Sequence, residues 1–427
     1  MHMSRISPRS GLSTIALAGI CVGYTCTINN VTLGAQLGTH MTFSRALLTL
    51  LIGFMILSVI TVLNCLIGTR EHATGKEIWC DTFGSRGGRI PSLLVCLCMI
   101  IFAFFDFWYV GDVFKQLFPS HSDVGFSIGM AVIVACAILG AFRGTESLKW
   151  LTRILIPFAI SLLSVVIACI IQRADGMAPI LQNRPASMIS ISEGINVVLG
   201  GFMICVGLWP DLTKDSSSQK ATAIGIPVGL LMYCALFIVG IFGAVGIGSY
   251  GILAIATGLG GALSALTKLF VILAQASTIP SNTHMIATEL QENIPAPRAV
   301  FIIGEPLLAA AASFVIEHVA DISILSTWAG VIGVIFAPIA GVTIAKYWVV
   351  NRGRFACAMR NRPAFCKDTL VIAVTGIACG VYFTWFITAL PASITSLALT
   401  FVPESLCGPI RQKTNSSIAA QQLKEEI

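Results

Sequence analysis

Gly23-Tyr24-Thr25-Cys26-Thr27-Ile28-Asn29-Asn30 falls in the middle of an apolar run from about residue 12 to 38, and it puts Gly, Thr and Asn where a membrane helix carries Leu and Ile. A peptide group inside a bilayer has no water to bond, so such a stretch is tolerated at membrane depth only where it faces protein or a water-filled cavity. A second interruption, Leu199-Gly200-Gly201-Phe202-Met203 with Pro210 beyond it, occurs in the sixth apolar run. The two occupy corresponding positions if the chain is built as five helices followed by five inverted ones. Paired interruptions of this kind point to a transporter binding site at the bilayer midplane. The plainer alternative is that the Gly and Thr residues only let helices pack closely.

Outward from these breaks, twelve stretches are apolar enough to approach the roughly 20 residues a spanning helix needs. They are 12–38, 44–69, 92–118, 125–142, 148–172, 190–210, 221–249, 260–289, 298–316, 322–349, 368–389 and 392–410. The last is short and contains Pro403, so eleven spans is the alternative count. The expected fold class is therefore an all-α integral membrane protein. Composition agrees: 56% of the 427 residues are hydrophobic and 11% charged, with mean hydropathy +0.87, whereas soluble domains carry roughly 25% charged residues. Soluble folds are excluded, and so is nucleic-acid binding, because too few basic residues exist to build a groove. The 14 Cys form no paired CxxC motif and read as small packing residues. Residues 1–11, polar with Arg5 and Arg9, followed by an apolar stretch, mimic a secretory signal, but no clear small-residue cleavage site follows.

Charge placement orients the chain. With both termini inside, 21 of the 26 Lys and Arg fall on the inner side; Arg45, Lys115, Arg173 and Arg184 fall outside, and Lys268 alone lies within a span. That asymmetry is the one expected of cytoplasmic loops. Short loops and compact termini suit a bacterial inner (plasma) membrane, with the lipid bilayer as partner and a monomer as the expected state.

Inside the spans, Asp106 lies in Ile101-Phe102-Ala103-Phe104-Phe105-Asp106-Phe107-Trp108. A charge at that depth is costly unless it faces a cavity or a partner. Met99, Phe102 and Asp106 recur at i, i+3 and i+7 on one helical face, which sets an aromatic plate one turn from a carboxylate. The alternative is a structural pair with Lys268 or Arg153. Lys268, Glu193 and Glu305 lie nearer span ends, where snorkelling or local pairing is the commoner explanation. Span 8 reads Ala274-Gln275-Ala276-Ser277-Thr278-Ile279-Pro280-Ser281-Asn282-Thr283. Its adjacent hydroxyls, with carbonyls freed by an unwound helix, could coordinate Na+; otherwise they bond back to their own backbone.

The chain resembles the cytosine permease branch of the nucleobase:cation symporter-1 family. The resemblance is carried by Leu37-Gly38-Thr39 with Leu51-Ile52-Gly53 and by Phe83-Gly84-Ser85-Arg86-Gly87-Gly88-Arg89-Ile90-Pro91-Ser92-Leu93-Leu94. Asp211 with Lys220, Ser277-Thr278, Ala345-Lys346-Tyr347 and Asn351-Arg352 extend it. It implies twelve transmembrane helices: a LeuT-like 5+5 inverted repeat, 12–172 and 190–349, and two C-terminal helices in 368–410, between cytoplasmic tails 1–11 and 411–427. It also implies secondary active, sodium- or proton-coupled uptake of a nucleobase, purine or pyrimidine, or related heterocycle, with no cofactor beyond the coupling ion. Carried over by position, the Na+ ligands are the Gly23, Cys26 and Ala274 carbonyls and the Ser277 and Thr278 hydroxyls. The implied substrate contacts are Thr27, Met99, Phe102, Asp106, Gly200, Gly201, Phe202 and Ile279. Where cytosine carriers place a Gln and a Trp on span 3, this chain has Met99 and Phe102; Ile204 replaces a Ser, Ile279 and Pro280 replace polar positions, and Lys346 stands where relatives often have Asp. These departures favour a donor-rich or cationic heterocycle over cytosine, since a carboxylate at 106 only accepts unless protonated.

Proton coupling through Asp106 is the alternative to Na+. Remote alternatives are a passive channel, for which no pore-lining ring is evident, and an intramembrane enzyme. For the latter the six His are dispersed, with no HExxH and no P-loop.

Overall fold

The computed structural model describes residues 11–143, 146–319, 324–356, 362–386 and 391–425, so the first ten residues and the chain end lie outside the described residues. All regular structure among these is helical; the one β feature is an isolated bridge between Leu12 and Ser216. In chain order the helices are α1 Thr14–Thr25, α2 Asn29–His40, α3 Phe43–Glu71, α4 Gly75–Phe83, α5 Arg89–Leu117, α6 Ser122–Arg143, α7 Glu146–Arg173, α8 Met177–Gln182 and α9 Ile191–Gly200. They continue as α10 Cys205–Leu208, α11 Pro210–Thr213, α12 Gln219–Ile247, α13 Ile252–Leu259, α14 Gly261–Asn293, α15 Arg298–Val319, α16 Ile324–Ile344, α17 Lys367–Phe386 and α18 Ala392–Glu425. The chain continues from α16 through a π-helical segment, Ala345–Val350.

Ten helices or helix runs among the described residues are long and apolar enough to cross a membrane, and α1 with α2 makes an eleventh if the bent pair is one span. The 29 residues of α3 extend about 43 Å at 1.5 Å each, ample for a hydrocarbon core of about 30 Å. Each of the twelve expected stretches overlaps a described helix, but the twelfth lies in α18, which carries Pro403 and Pro409 and is not among the spanning candidates. The short helices α4 and α13 were not anticipated. A Thr74–Glu77 capping box starts α4, and two glycines with positive φ, Gly251 and Gly260, bound α13.

The two interruptions take different forms. Between α1 and α2 the axis turns by 67°. The Asn30 amide donates to Thr25 O at 2.8 Å, and the Thr25 hydroxyl donates to Val22 O and to Gly229 O of α12, each at 3.1 Å. Side chains thus satisfy backbone oxygens around the break, as membrane depth requires. The second interruption is milder: a turn over 201–204 within a run, Ile191–Leu208, that still counts as one span.

Glycines set how closely the broken helix packs. A Cβ at Gly34 of α2 would stand 2.2 Å from Phe237 O of α12, and one at Gly240 would stand 2.0 Å from Val31 O. The backbones meet because neither side carries a side chain there. On the inner face, according to the charge bias, the segment after α16 clamps α4. Lys346 Nζ donates to Thr82 O at 2.6 Å, and Arg362 Nη2 lies 3.4 Å from Asp81 Oδ1.

Gly34→Val should lower the thermal midpoint of the detergent-purified protein by an overpacking cost of about 1–3 kcal/mol. Gly19→Ala, inside α1 at a position with no atom within 4 Å of the added Cβ, should not lower the midpoint in the same assay, since Ala favours the helix over Gly.

Candidate functional site

The bend between α1 and α2, the turn after α9, the middle of α5 and α14 enclose an interior cavity. Tyr24, Thr27, Asn29 and Asn30 line it from the first break, Met99, Phe102 and Asp106 from α5, and Gly201, Phe202, Ile204, Cys205, Leu208 and Trp209 from the second. Asn282 and Met285 of α14 complete the wall. The three α5 residues come together because i, i+3 and i+7 share a helical face. Phe202 is held edge-on by Trp209, with centroids 5.4 Å apart and planes at 69°, and meets Tyr233 in a tilted contact at 5.6 Å. Tyr233 is itself fixed by donating to Val198 O at 2.5 Å. The site therefore has rigid aromatic walls.

Asp106 is its polar centre, with 2% of its surface exposed. Asn29 Nδ2 and Gln275 Nε2 donate to its Oδ1 at 2.8 and 2.9 Å, and Gln275 also reaches the Asp106 carbonyl at 3.2 Å. Lys268 is not its partner: the ion pairs among the described residues are Lys76–Glu292, Lys115–Glu317 and Arg362–Asp81. The side chain of Arg153 lies outside the described residues. Two amides thus hold the carboxylate, with no cation in ion-pair distance among those residues. The remaining amide oxygens, Asn29 Oδ1 and Gln275 Oε1, are buried without a hydrogen-bond partner. The centre accordingly presents acceptors, which suits a ligand rich in N–H donors.

At the contact between α1 and α14, the Thr278 hydroxyl donates to Gly23 O at 3.3 Å and the Ser277 hydroxyl to Ala274 O at 2.8 Å. Four of the five expected ion ligands therefore gather at one seam. Ser277 also follows the bland expectation, since its bond returns to its own helix. Cys26 is the C-cap of α1, its N–H donating to Val22 O at 3.0 Å. Neutral carbonyl and hydroxyl oxygens in this arrangement fit a hard monovalent cation.

Two expected substrate contacts lie elsewhere. A Cβ at Gly200 would stand 1.7 Å from Ala329 O of α16, so that residue faces a neighbouring helix while Gly201 lines the cavity. Ile279 packs with Ala103, Phe107 and Ala309 between α5, α6 and α15. Glu305 does not snorkel: it is buried and accepts from Thr283 Oγ1 at 2.7 Å. Glu193 caps α9 through Ser190. Residues missed by sequence reading are Asn29, Gln275, Trp209, Asn282, Met285 and the Tyr24 hydroxyl. A usable signal existed for Gln275 and Asn282, two amides seven residues apart on one helix. None existed for Trp209, which the chain's turn after 200 brings in.

Just past the second break, outside the spans, Asp211 Oδ1 accepts from the Gly75 N–H at 3.1 Å. Burial pushes its carboxyl up to about 7; Glu289 adds to the rise, while Lys214 and the Gly75 N–H oppose it.

Comparison with known proteins follows the same lines. A family model for permeases of cytosine/purines, uracil, thiamine and allantoin matches residues 12–385. The cytosine permease of Escherichia coli strain K12 is 23% identical over 383 residues, covering 88% of this chain and 86% of the permease. The solved structure of Mhp1 in its inward-facing conformation superposes with TM-score 0.78 at 16% identity, covering 97% of this chain and 94% of that one. Mhp1 in a closed conformation with bromovinylhydantoin bound, described as a nucleobase-cation-symport-1 family transporter, gives TM-score 0.77 at 16% identity, covering 97% and 96%. At that identity the likeness establishes the fold.

Because the carboxyl of Asp211 is raised in the folded protein, the stability it contributes is full below the ordinary carboxylate range and is lost as pH rises through about 7. Thermal midpoints measured from pH 5 to 8 should therefore decline less for Asp211→Asn than for the unmodified protein.

Proposed function

The chain belongs to the permease family for cytosine/purines, uracil, thiamine and allantoin, and from that premise we propose that it is a Na+-coupled symporter of a nitrogen heterocycle. Its family and its fold neighbours are permeases and symporters, so it is a membrane transporter and not an enzyme. In the proposed layout, 12–172 and 190–349 are inverted five-helix repeats, α17 and α18 follow them, and both termini face the cytoplasm of a plasma membrane. The protein alternates between outward- and inward-open states.

One observation carries the coupling. The break between α1 and α2 serves both sites: Gly23 accepts the Thr278 hydroxyl at the α14 seam, while Asn29, six residues on, donates to Asp106. An ion bridging α1 and α14 would favour the backbone arrangement that also sets Asn29 against the carboxylate. Binding of one ligand would then strengthen binding of the other, and the linkage is reciprocal. The heterocycle lies between Phe102 and Phe202 and gives its N–H groups to Asp106. The acceptor-only centre supports a donor-rich or cationic ring over cytosine itself.

Proton coupling is the second possibility, favoured by the burial of Asp106 without a cation in ion-pair distance among the described residues. Asp106 would then carry the proton.

Uptake of labelled bases, nucleosides, hydantoins and small cationic heterocycles should be stimulated by Na+ for at least one compound. The paired change Ser277→Ala with Thr278→Ala should weaken the Na+ effect on substrate affinity by about tenfold, the scale of a coupling near 1.4 kcal/mol. Equal substrate affinity with and without Na+ would reject sodium coupling. Under proton coupling, Asp106→Asn should abolish the pH dependence of uptake, and an unchanged profile would reject that mechanism.

A further inference from the structure

A second cavity adjoins the first, and the two share Tyr24 and Met285 as walls. Asp211 and Lys214 bound it after the second break, Thr74 at the start of α4, and Glu289 and Glu292 on α14. It lies toward the basic segments that the charge bias assigns to the cytoplasm. Glu289 is buried, and its Oε2 accepts from Ser92 Oγ at 2.6 Å. Asp211 Oδ1 accepts from Gly75. Each carboxylate thus commits one oxygen to these protein bonds. Neither is in an ion pair among the described residues, and Lys76 is taken by Glu292.

Tyr24 is the independent sign that something binds here. Its residue is 6% exposed and its hydroxyl is buried without a hydrogen-bond partner, and the residue shares this cavity's wall with Asp211. Buried polar groups are nearly always satisfied, so the orphan hydroxyl of a residue that walls both cavities leaves room for a partner that is not protein.

We propose that Asp211, Glu289 and the Tyr24 hydroxyl form a second Na+ site on the cytoplasmic side of the first. All its ligands are oxygens, two of them anionic, and water can complete the shell. Position supports a release path: Tyr24 follows Gly23 on α1, and Glu289 lies eleven residues past Thr278 on α14, about 16 Å along the helix. An ion leaving the Gly23–Thr278 seam meets this cavity on its way inward. The inference rests on sodium coupling for its ion but on separate residues for its site.

The test is binding of radioactive Na+ to the purified full-length protein at pH 8, with monodispersity checked by gel filtration. The unmodified chain should bind two ions. Asp211→Asn with Glu289→Gln should bind one, as should Ser277→Ala with Thr278→Ala. If the Ser277/Thr278 pair changes nothing while the Asp211/Glu289 pair removes one ion, the seam site fails and the second site stands. Unchanged stoichiometry in the Asp211/Glu289 pair, or no Na+ bound by the unmodified chain, overturns the proposal. Should that pair fail to fold, Tyr24→Phe decides: about fivefold weaker binding of one ion supports the site, and unchanged affinity for both ions overturns it.

Discussion

The centre of this molecule depends on how the backbone is satisfied where α1 stops and α2 begins. In hydrocarbon an unpaired carbonyl has nothing to bond except protein, and the chain answers from within. Asn30 caps Thr25 O, the Thr25 hydroxyl ties the break to α12, and Thr278 takes Gly23 O from the far side. Gly34 and Gly240 then let the bent span lie backbone to backbone against α12. The 67° turn is thus held by polar groups, of which Asn30 also lines the cavity.

Asp106 follows a related logic. A buried carboxylate is ordinarily balanced by a cation, but a well-packed ion pair would leave a closed, self-satisfied core. Here two amide donors from different helices, α2 and α14, converge on one oxygen of a third, α5. Neutral donors stabilise the charge without cancelling it, and each leaves its own oxygen unspent. The result is a polar centre biased towards acceptors inside aromatic walls. Its three supporting helices include α14, which flanks the Gly23–Thr278 seam, and α2, which follows α1 across the break.

Much of this was legible in one dimension. The long apolar runs, the polar break at 23–30 and the Met99–Phe102–Asp106 spacing all survive folding, because a regular helix preserves the face a residue occupies. Helical phase fails where the helix itself is irregular. Gly200 and Gly201 look equivalent in sequence, yet the turn after α9 points one at α16 and the other at the cavity. Ile279, beside Pro280 in α14, packs against α5, α6 and α15, one position from the residues that matter. Trp209 lies beyond the turn over 201–204, where the phase of α9 no longer predicts which residue lines the cavity.

By itself, the sequence determined that this is a helical membrane protein and where its backbone is broken. These follow from local quantities, namely apolar length, charge count and residues unable to sustain a lipid-facing helix. The tertiary structure alone decided what satisfies Asp106. Asn29 and Gln275 are 77 and 169 residues away from it in the chain, and hydrogen bonds over such separations leave no periodic trace. The same holds for the orphan hydroxyl of Tyr24, whose meaning depends on two cavities that exist only once the helices have packed.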